Sequence, residues 1–363
     1  MSATREPLGA TAGQAVTPGA GRAPMAGAVL PSWAPWGVPG GLLAVAVALA
    51  VATNLAPALL LVVAVVVGGA VLYVWSRSVE GARRATDRSV TLGVTAAFVL
   101  AVAPLVSVLT TVIDRGLARF DGTFLTETAR NVVGEGGGAL HAIVGTLVIA
   151  GVATLIAVPI GILAAIYLVE YGQGRLKRAI TFFVDVMTGI PSIVAGLFAV
   201  ALFTLVFGPG TRLGIMGSIA LTVLMIPIVV RSTEEMLLIV PDKLREAAYA
   251  LGVPKWRMIV KVVLPTALAG IVSGVMLAIA RIMGETAPLL VTAGVSDSIN
   301  TNPVDGRMPN LAVYAYSEYK FPGVPREPFL DRAWAAALTL ILIVMLLNLV
   351  GRFIYRRFGT EIR

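Results

Sequence analysis

Three charged side chains, Arg231, Arg281 and Glu285, stand within long apolar stretches in the second half of the chain. Arg281 follows a run from Leu264 in which nearly every residue is apolar or small, and precedes Gly284, Glu285, Pro288 and two leucines. Read as one continuous helix rising about 1.5 Å per residue, residues 264–292 put Arg281 near mid-membrane, beyond easy snorkelling to either surface. An unpaired charge there costs from about 2.5 to more than 10 kcal/mol, so it must face protein, water or an anion. Arg231 lies in the preceding apolar run with Glu234 and Glu235 within one turn. The residues admit two readings. Two guanidinium groups on neighbouring helices, each able to fork onto an oxyanion, make an anion pathway. Alternatively, Arg281 pairs with Glu285 four residues on, and Arg231 with Glu234 or Glu235, to lock helices together.

The elements that hold these charges are membrane helices. Apolar residues make up 57% of the 363 and charged ones 13%, which excludes a water-soluble globule with one core. A bilayer core takes about 20 apolar residues as a helix. Eight such runs lie near 38–53, 57–75, 89–112, 139–168, 179–207, 214–238, 264–292 and 333–354. The first two, split only by Asn54 to Pro57, also fit one re-entrant hairpin. Residues 1–37, rich in Ala, Gly, Pro and Thr, read as a disordered cytoplasmic tail. Residues 38–88 read as a two-helix unit with a basic linker from Ser76 to Arg88, residues 89–354 as a six-helix body, and residues 355–363 as a cytoplasmic tail. With both termini inside, the inner segments hold most of the Lys and Arg. That topology accounts for the net charge of +8 without nucleic acid.

Several smaller features complete the organisation. Gly134 to Gly138 make the connection 113–140 a flexible outer loop, and residues 294–332 form a long outer segment able to fold over the mouth. Gly189 and Pro191, beside Thr188 and Ser192, interrupt the fifth run, as Pro159 and Pro227 do their own. Such interruptions either bend helices for packing or offer freed backbone groups to a solute. Gly270 and Gly274 mark a close helix contact. The chain has no cysteine, and its single histidine, His141, reads as interfacial. No metal site and no catalytic group emerge. None of Lys177, Lys243, Lys255, Lys261 or Lys320 follows Gly, so no phosphate-cradling GxxxxGK[ST] loop is present, and any ATP-driven motor is another polypeptide.

A docking surface for that motor stands between the sixth and seventh runs. Residues 246–265, EAAYALGVPKWRMIVKVVLP, are a polar interruption in which a short helix ends at Gly252 or Pro254, with Lys255 and Trp256 exposed beyond. The stretch resembles the EAA loop of ABC-importer membrane subunits: Glu246, Ala247, Ala248, Gly252, Leu264 and Pro265 fall in register, with Val262 where the pattern has Ile. AIYLVEYG (165–172), DVMTGIPSIVAGLF (185–198), RSTEEMLLIVP (231–241) and AIARIMGETAPLL (278–290) are similar to the PstA family, one of the two membrane subunits of bacterial phosphate ABC importers. The GETAPLL ending is narrower than the EAA loop and separates this family from its partner permease. The resemblance implies an all-α polytopic fold, with a six-helix type I ABC importer permease core and two additional N-terminal transmembrane helices.

It implies further that residues 242–262 couple to an ATPase through Glu246, Ala247, Ala248, Gly252, Lys255 and Trp256, and that Arg231, Arg281 and Glu285 line the substrate route. The implied partners are a second permease subunit like PstC, an ATPase dimer like PstB holding ATP and Mg, an extracytoplasmic phosphate-binding protein like PstS, and membrane lipid. The chain itself binds no cofactor and sits in the bacterial cell membrane. Glu285 adds a discrimination: hydrogen phosphate carries a proton that a carboxylate accepts as a hydrogen bond, whereas sulfate at neutral pH carries none and is repelled. A permease for sulfate, molybdate or phosphonate would share the buried arginines. An ion-driven secondary transporter would show inverted repeats, and no second copy of 246–265 or of GETAPLL is present. A non-transporting assembly subunit would leave Arg281 without a task beyond helix pairing.

Overall fold

The computed structural model describes residues 30–53 and 57–358, so most of the expected N-terminal tail, Asn54 to Ala56 and residues 359–363 lie outside the described residues. Regular structure among the described residues is entirely helical, as expected. The helices are α1 Ala34–Thr53, α2 Pro57–Glu80, α3 Ala82–Gly116, α4 Gly122–Thr126, α5 Leu140–Ile166, α6 Gly174–Thr188, α7 Ser192–Phe207, α8 Gly214–Ile239, α9 Asp242–Ala250, α10 Lys255–Met258, α11 Leu264–Met283, α12 Ala287–Thr292, α13 Leu311–Lys320 and α14 Glu327–Phe358. Six of them are long and apolar enough to cross a membrane, and the bent pair α6–α7 makes a seventh candidate. The described chain forms two compact units, one up to Ser107 and one from Val108.

In the first unit the basic linker expected at residues 76–88 is helical. Its Arg, Glu and Ala residues are good helix formers, and only Gly81, at φ +89°, separates α2 from α3. Glu80 is buried and holds Arg88, the Ser76 hydroxyl and the Leu30 amide.

The core of the second unit is built on α8, packed against α5 and α11 through Ala153, Ala157, Met225, Val229, Ile271 and Ala278. Glycines set the approach. A Cβ at Gly270 would collide with Met236, one at Gly274 with Ser232, and one at Gly161 with Val229. The contacts 270 with 236 and 274 with 232 fix an antiparallel register for α11 on α8. Gly217 against Leu289 continues it into α12.

Two of the predicted spans are broken rather than continuous. Residues 179–207 turn by 109° between α6 and α7, because Pro191 lacks a donor and pushes Ile190 out of the helical region. The half before the bend, α6, is amphipathic, with Arg175 and Arg178 exposed and Lys177 half-buried at its start. Residues 264–292 stop at Met283, where Gly284 and Thr286 break the helix before Pro288 restarts it in the first turn of α12. At its other end the same helix is longer than expected. α10, a π-helical turn Ile259–Val263 and α11 run on as one 29-residue element, Lys255–Met283. The π turn sits where Pro265 cannot supply the amide that an α-helix would aim at Lys261.

At the end of the unit farthest from α9, the expected flexible loop is ordered. Gly134, Gly136 and Gly137 adopt positive φ. Arg332 of α14, 2% exposed, donates to the Gly134 carbonyl at 2.7 Å, to the Gly136 carbonyl at 3.2 Å and to Glu318 of α13 at 2.7 Å. Arg119 donates to the Gly137 carbonyl. His141 is fully buried rather than interfacial, edge-on to Tyr314 at 5.0 Å. The segment 294–332 carries α13, which packs on α14 and α5.

Candidate translocation and coupling sites

The register of α11 on α8 sets the depth of Arg281. Positions 270 and 274 face 236 and 232, so Arg281 stands level with residue 225. That is about 21 Å from the Ile239 end of α8 and about 17 Å from its Gly214 end, at 1.5 Å per residue. Mid-depth is thus reached by a different route from a continuous 264–292 helix: the element starts well beyond the end of α8 and stops just after Arg281. Arg281 is exposed on this chain, and its side chain makes no hydrogen bond or ion pair among the described residues. Glu285 is half-buried beyond the helix end. The pairing of Arg281 with Glu285 is absent, because the break at Gly284 removes the shared helix face.

Arg231 behaves differently. On α8 it donates to Glu234 at 2.6 Å and to Asp185 of α6, so the residue pinned between two carboxylates is the one that joins the bent pair to the core. It lies level with residue 275, about 9 Å from Arg281 along the bundle. The structure therefore places the two guanidiniums about 9 Å apart in depth and leaves only Arg281 of the two without a carboxylate partner among the described residues.

α9 and α10 form the exposed region expected to carry the coupling. α9 opens at Asp242 after Pro241 and closes with Gly252 at φ +70°, whose amide reaches the Tyr249 carbonyl while the Val253 amide reaches that of Ala248. Only glycine takes that conformation without strain. Glu246 and Ala247 point outward and Ala248 is buried. Leu251 is 83% exposed and Trp256 58%, with Leu244 and Tyr249 beside them. Lys255, expected to be exposed, is half-buried: it donates to the Glu170 carbonyl and stands 4.8 Å from the Tyr171 ring.

The residue that sequence reasoning missed is Arg245. It caps the carbonyls of Val240 at 2.6 Å and Leu237 at 2.9 Å and pairs with Glu170 at 3.0 Å, using three nitrogens. It thereby ties α9 to the last turn of α8, where the Leu237 carbonyl otherwise takes only the Val240 amide at 3.4 Å, and to the π-helical turn Tyr167–Tyr171 that ends α5. The arginine immediately before EAA and the glutamate within AIYLVEYG were its only signals in the sequence. At the opposite end, Arg212 donates to the carbonyls of Leu290 and Val291 and holds α12 against the start of α8.

A multi-span bundle with an unpaired arginine at mid-depth and an exposed two-helix knob at one end is a membrane transport subunit. Residues 157–363 match the family described as binding-protein-dependent transport system inner membrane component, and the chain belongs to that family. Its relatives are more particular. Over 260 residues it is 50% identical to the phosphate transport system permease protein PstA 1 of Mycobacterium tuberculosis (strain CDC 1551 / Oshkosh), covering 71% of this chain and 84% of that protein. Over 280 residues it is 48% identical to the phosphate transport system permease protein PstA of Mycobacterium leprae (strain TN), covering 76% and 90%. A solved bacterial ABC transporter involved in the import of the acidic polysaccharide alginate superposes with a TM-score of 0.53 at 15% identity, covering 77% of this chain and all of that one. That likeness concerns the fold alone.

Proposed function

We propose that this chain is the permease subunit of an ATP-driven phosphate importer and forms half of the translocation route. The observation that carries the reading is identity of about half over most of both chains to phosphate permeases. Arg281, free of any carboxylate at mid-depth, is the group that meets the anion. Arg231, already neutralised by Glu234 and Asp185, sets the position of α6 and α7 beside the route. Glu285 accepts a hydrogen bond from the proton-bearing oxygen of hydrogen phosphate and repels sulfate. Permeases for sulfate, molybdate or phosphonate remain the neighbouring alternatives, separated by that one carboxylate.

Work arrives from a partner ATPase that binds ATP and Mg, gripping Glu246, Leu251 and Trp256 on the cytoplasmic side. Two rigid links carry its movement inward. Arg245 draws the end of α8 with α9, and the single element Lys255–Met283 carries Arg281 at its far end. A second permease subunit completes the route, and an extracytoplasmic binding protein delivers phosphate to the end capped by α13. Both termini lie in the cytoplasm. The test is uptake of radiolabelled phosphate and of sulfate in cells lacking the gene and complemented with it or with Glu285→Gln. Restored phosphate uptake with sulfate excluded by the wild type, and sulfate admitted by Glu285→Gln, is the expected result. A wild-type chain restoring sulfate uptake instead overturns the substrate assignment.

A further inference from the structure

We propose that the groove between α11 and α14 is a second oxyanion station, one step nearer the coupling helix than Arg281; this rests on the reading of the chain as half of an oxyanion route. The groove has a volume of about 670 Å³, with Ser273, Asn348 and Arg352 as its polar wall and Val272, Met276 and Met345 among its apolar residues. Its depth follows from packing. α14 begins at the end of the unit where α5 and α8 begin, since Ala335 and Ala336 cluster with Ala142 and the Ser218 hydroxyl donates to the Ile149 carbonyl. It therefore runs against α11, and Gly351 lies on Met276. Arg352 consequently stands level with residue 275, about 9 Å from Arg281 towards α9.

Arg352 and Arg231 share that level, and their surroundings differ. Arg231 is held by two carboxylates, whereas Arg352 is exposed and has no hydrogen bond or ion pair among the described residues. Asn348 lies one turn away on the same face. Its amide donates to the Val344 carbonyl at 2.9 Å, which leaves a second amide hydrogen free. Ser273, Leu277 and Arg281 follow one another at four-residue spacing and are all exposed, so one strip of α11 runs from Arg281 to the groove. The Ser273 hydroxyl spends its hydrogen on the Ala269 carbonyl at 3.0 Å, so an anion leaving Arg281 along that strip meets two donors, the Asn348 amide and a guanidinium without a counter-charge among the described residues. Low-dielectric walls strengthen each contact. The ligand class is a phosphate oxyanion; the phosphodiester of an anionic lipid offers the same oxygens.

The experiment measures radiolabelled phosphate uptake in cells whose only copy of this gene is wild type, Arg352→Gln, Arg352→Lys, Asn348→Leu or Arg281→Gln, with membrane abundance measured by immunoblot. Arg352→Gln and Asn348→Leu are expected to lower maximal uptake by about tenfold, the scale of one hydrogen bond to a charged group, at unchanged abundance and half-saturating concentration. Arg352→Lys is expected to recover part of it. Asn348→Leu keeps a helix-forming residue on an exposed face, so it reads the groove even if Arg352→Gln folds poorly. No phosphate uptake by the wild type overturns the underlying reading. An active wild type and an inactive Arg281→Gln, with both groove variants at wild-type rates, overturns the groove alone. Native mass spectrometry of the purified full chain separates the ligand sources: an anionic phospholipid lost on Arg352→Gln while uptake is unchanged assigns the groove to lipid and overturns the proposal.

Discussion

Arg231 and Arg281 have the same side chain and lie about 9 Å apart along one bundle, yet their neighbours give them different work. Removing Arg281 takes a donor from the proposed route and leaves no described protein group unpaired. Arg281→Gln is therefore expected to lower phosphate uptake about ten- to a hundredfold, the equivalent of one charge-assisted hydrogen bond, with normal membrane abundance and thermal stability. Removing Arg231 instead leaves Glu234, whose side chain is 18% exposed, facing Asp185 without a cation. Arg231→Gln is expected to lower the melting temperature of the detergent-solubilised chain, and Asp185→Asn in the same chain to restore part of it. If Asp185→Asn gives no recovery, the pairing has no structural role. Both arginines could be singled out from the sequence because a charge inside an apolar run is rare. The difference between them could not, since Asp185 is 46 positions away and faces Arg231 only because Pro191 folds α6 back.

Elements carry the next level of behaviour. The spans themselves were legible, because runs of about 20 apolar residues have few other uses. Their breaks were less so: proline and glycine in a membrane span permit a bend without fixing its angle, and the 109° turn at Pro191 depends on α7 finding Pro288 and Val291 against Gly196. The helix end at Gly252 was legible, and it carries a prediction. A left-handed residue with a side chain costs about 1–2 kcal/mol, so Gly252→Val is expected to fray α9 and reduce uptake while leaving the membrane core folded. Hydrogen exchange confined to residues 242–258 would show it. The latch at the far end was hidden by distance, since Arg332 joins Glu318 to carbonyls near residue 134. Burial raises the Glu318 carboxyl above its ordinary 4.5 against the pull of Arg332, and burial raises Asp297 likewise. A carboxyl with a raised folded value binds its proton more tightly folded than unfolded. Its ionisation therefore weakens the fold progressively as pH rises through the window between the ordinary and the raised value. The latch is expected to gain stability on acidification towards the ordinary carboxyl values, by contrast with ordinary acid destabilisation. Arg332→Gln, which strips a buried partner, is expected to cost about 3–5 kcal/mol, read as a fall in melting temperature measured across that pH range.

At the scale of the whole molecule, orientation decides whether the two ends can do their work. On the proposed function, α9 must meet an ATPase where ATP is found, and the α13 end must meet a delivered solute on the other side. The two ends are separated by α8, about 39 Å long at 26 residues, which is enough to span the bilayer core of about 30 Å. The proposed orientation, which rests on the excess of Lys and Arg on one side, puts α9 inside. The chain has no cysteine, so single cysteines can be introduced one at a time without any background to remove. Leu251, 83% exposed at the end of α9, and Val304, 62% exposed in the loop that meets the start of α8 through Ile215 and Pro303, stand at opposite ends. A membrane-impermeant maleimide applied to intact spheroplasts is expected to label Val304→Cys and spare Leu251→Cys, and to label both after permeabilisation. The reverse pattern would put the exposed tryptophan and EAA segment outside the cell, where no nucleotide-driven partner could grip them, and would remove the coupling role of α9 while leaving the anion route through Arg281 standing. Labelling of Leu251→Cys that falls when an ATPase subunit is co-expressed would place the partner on that same surface.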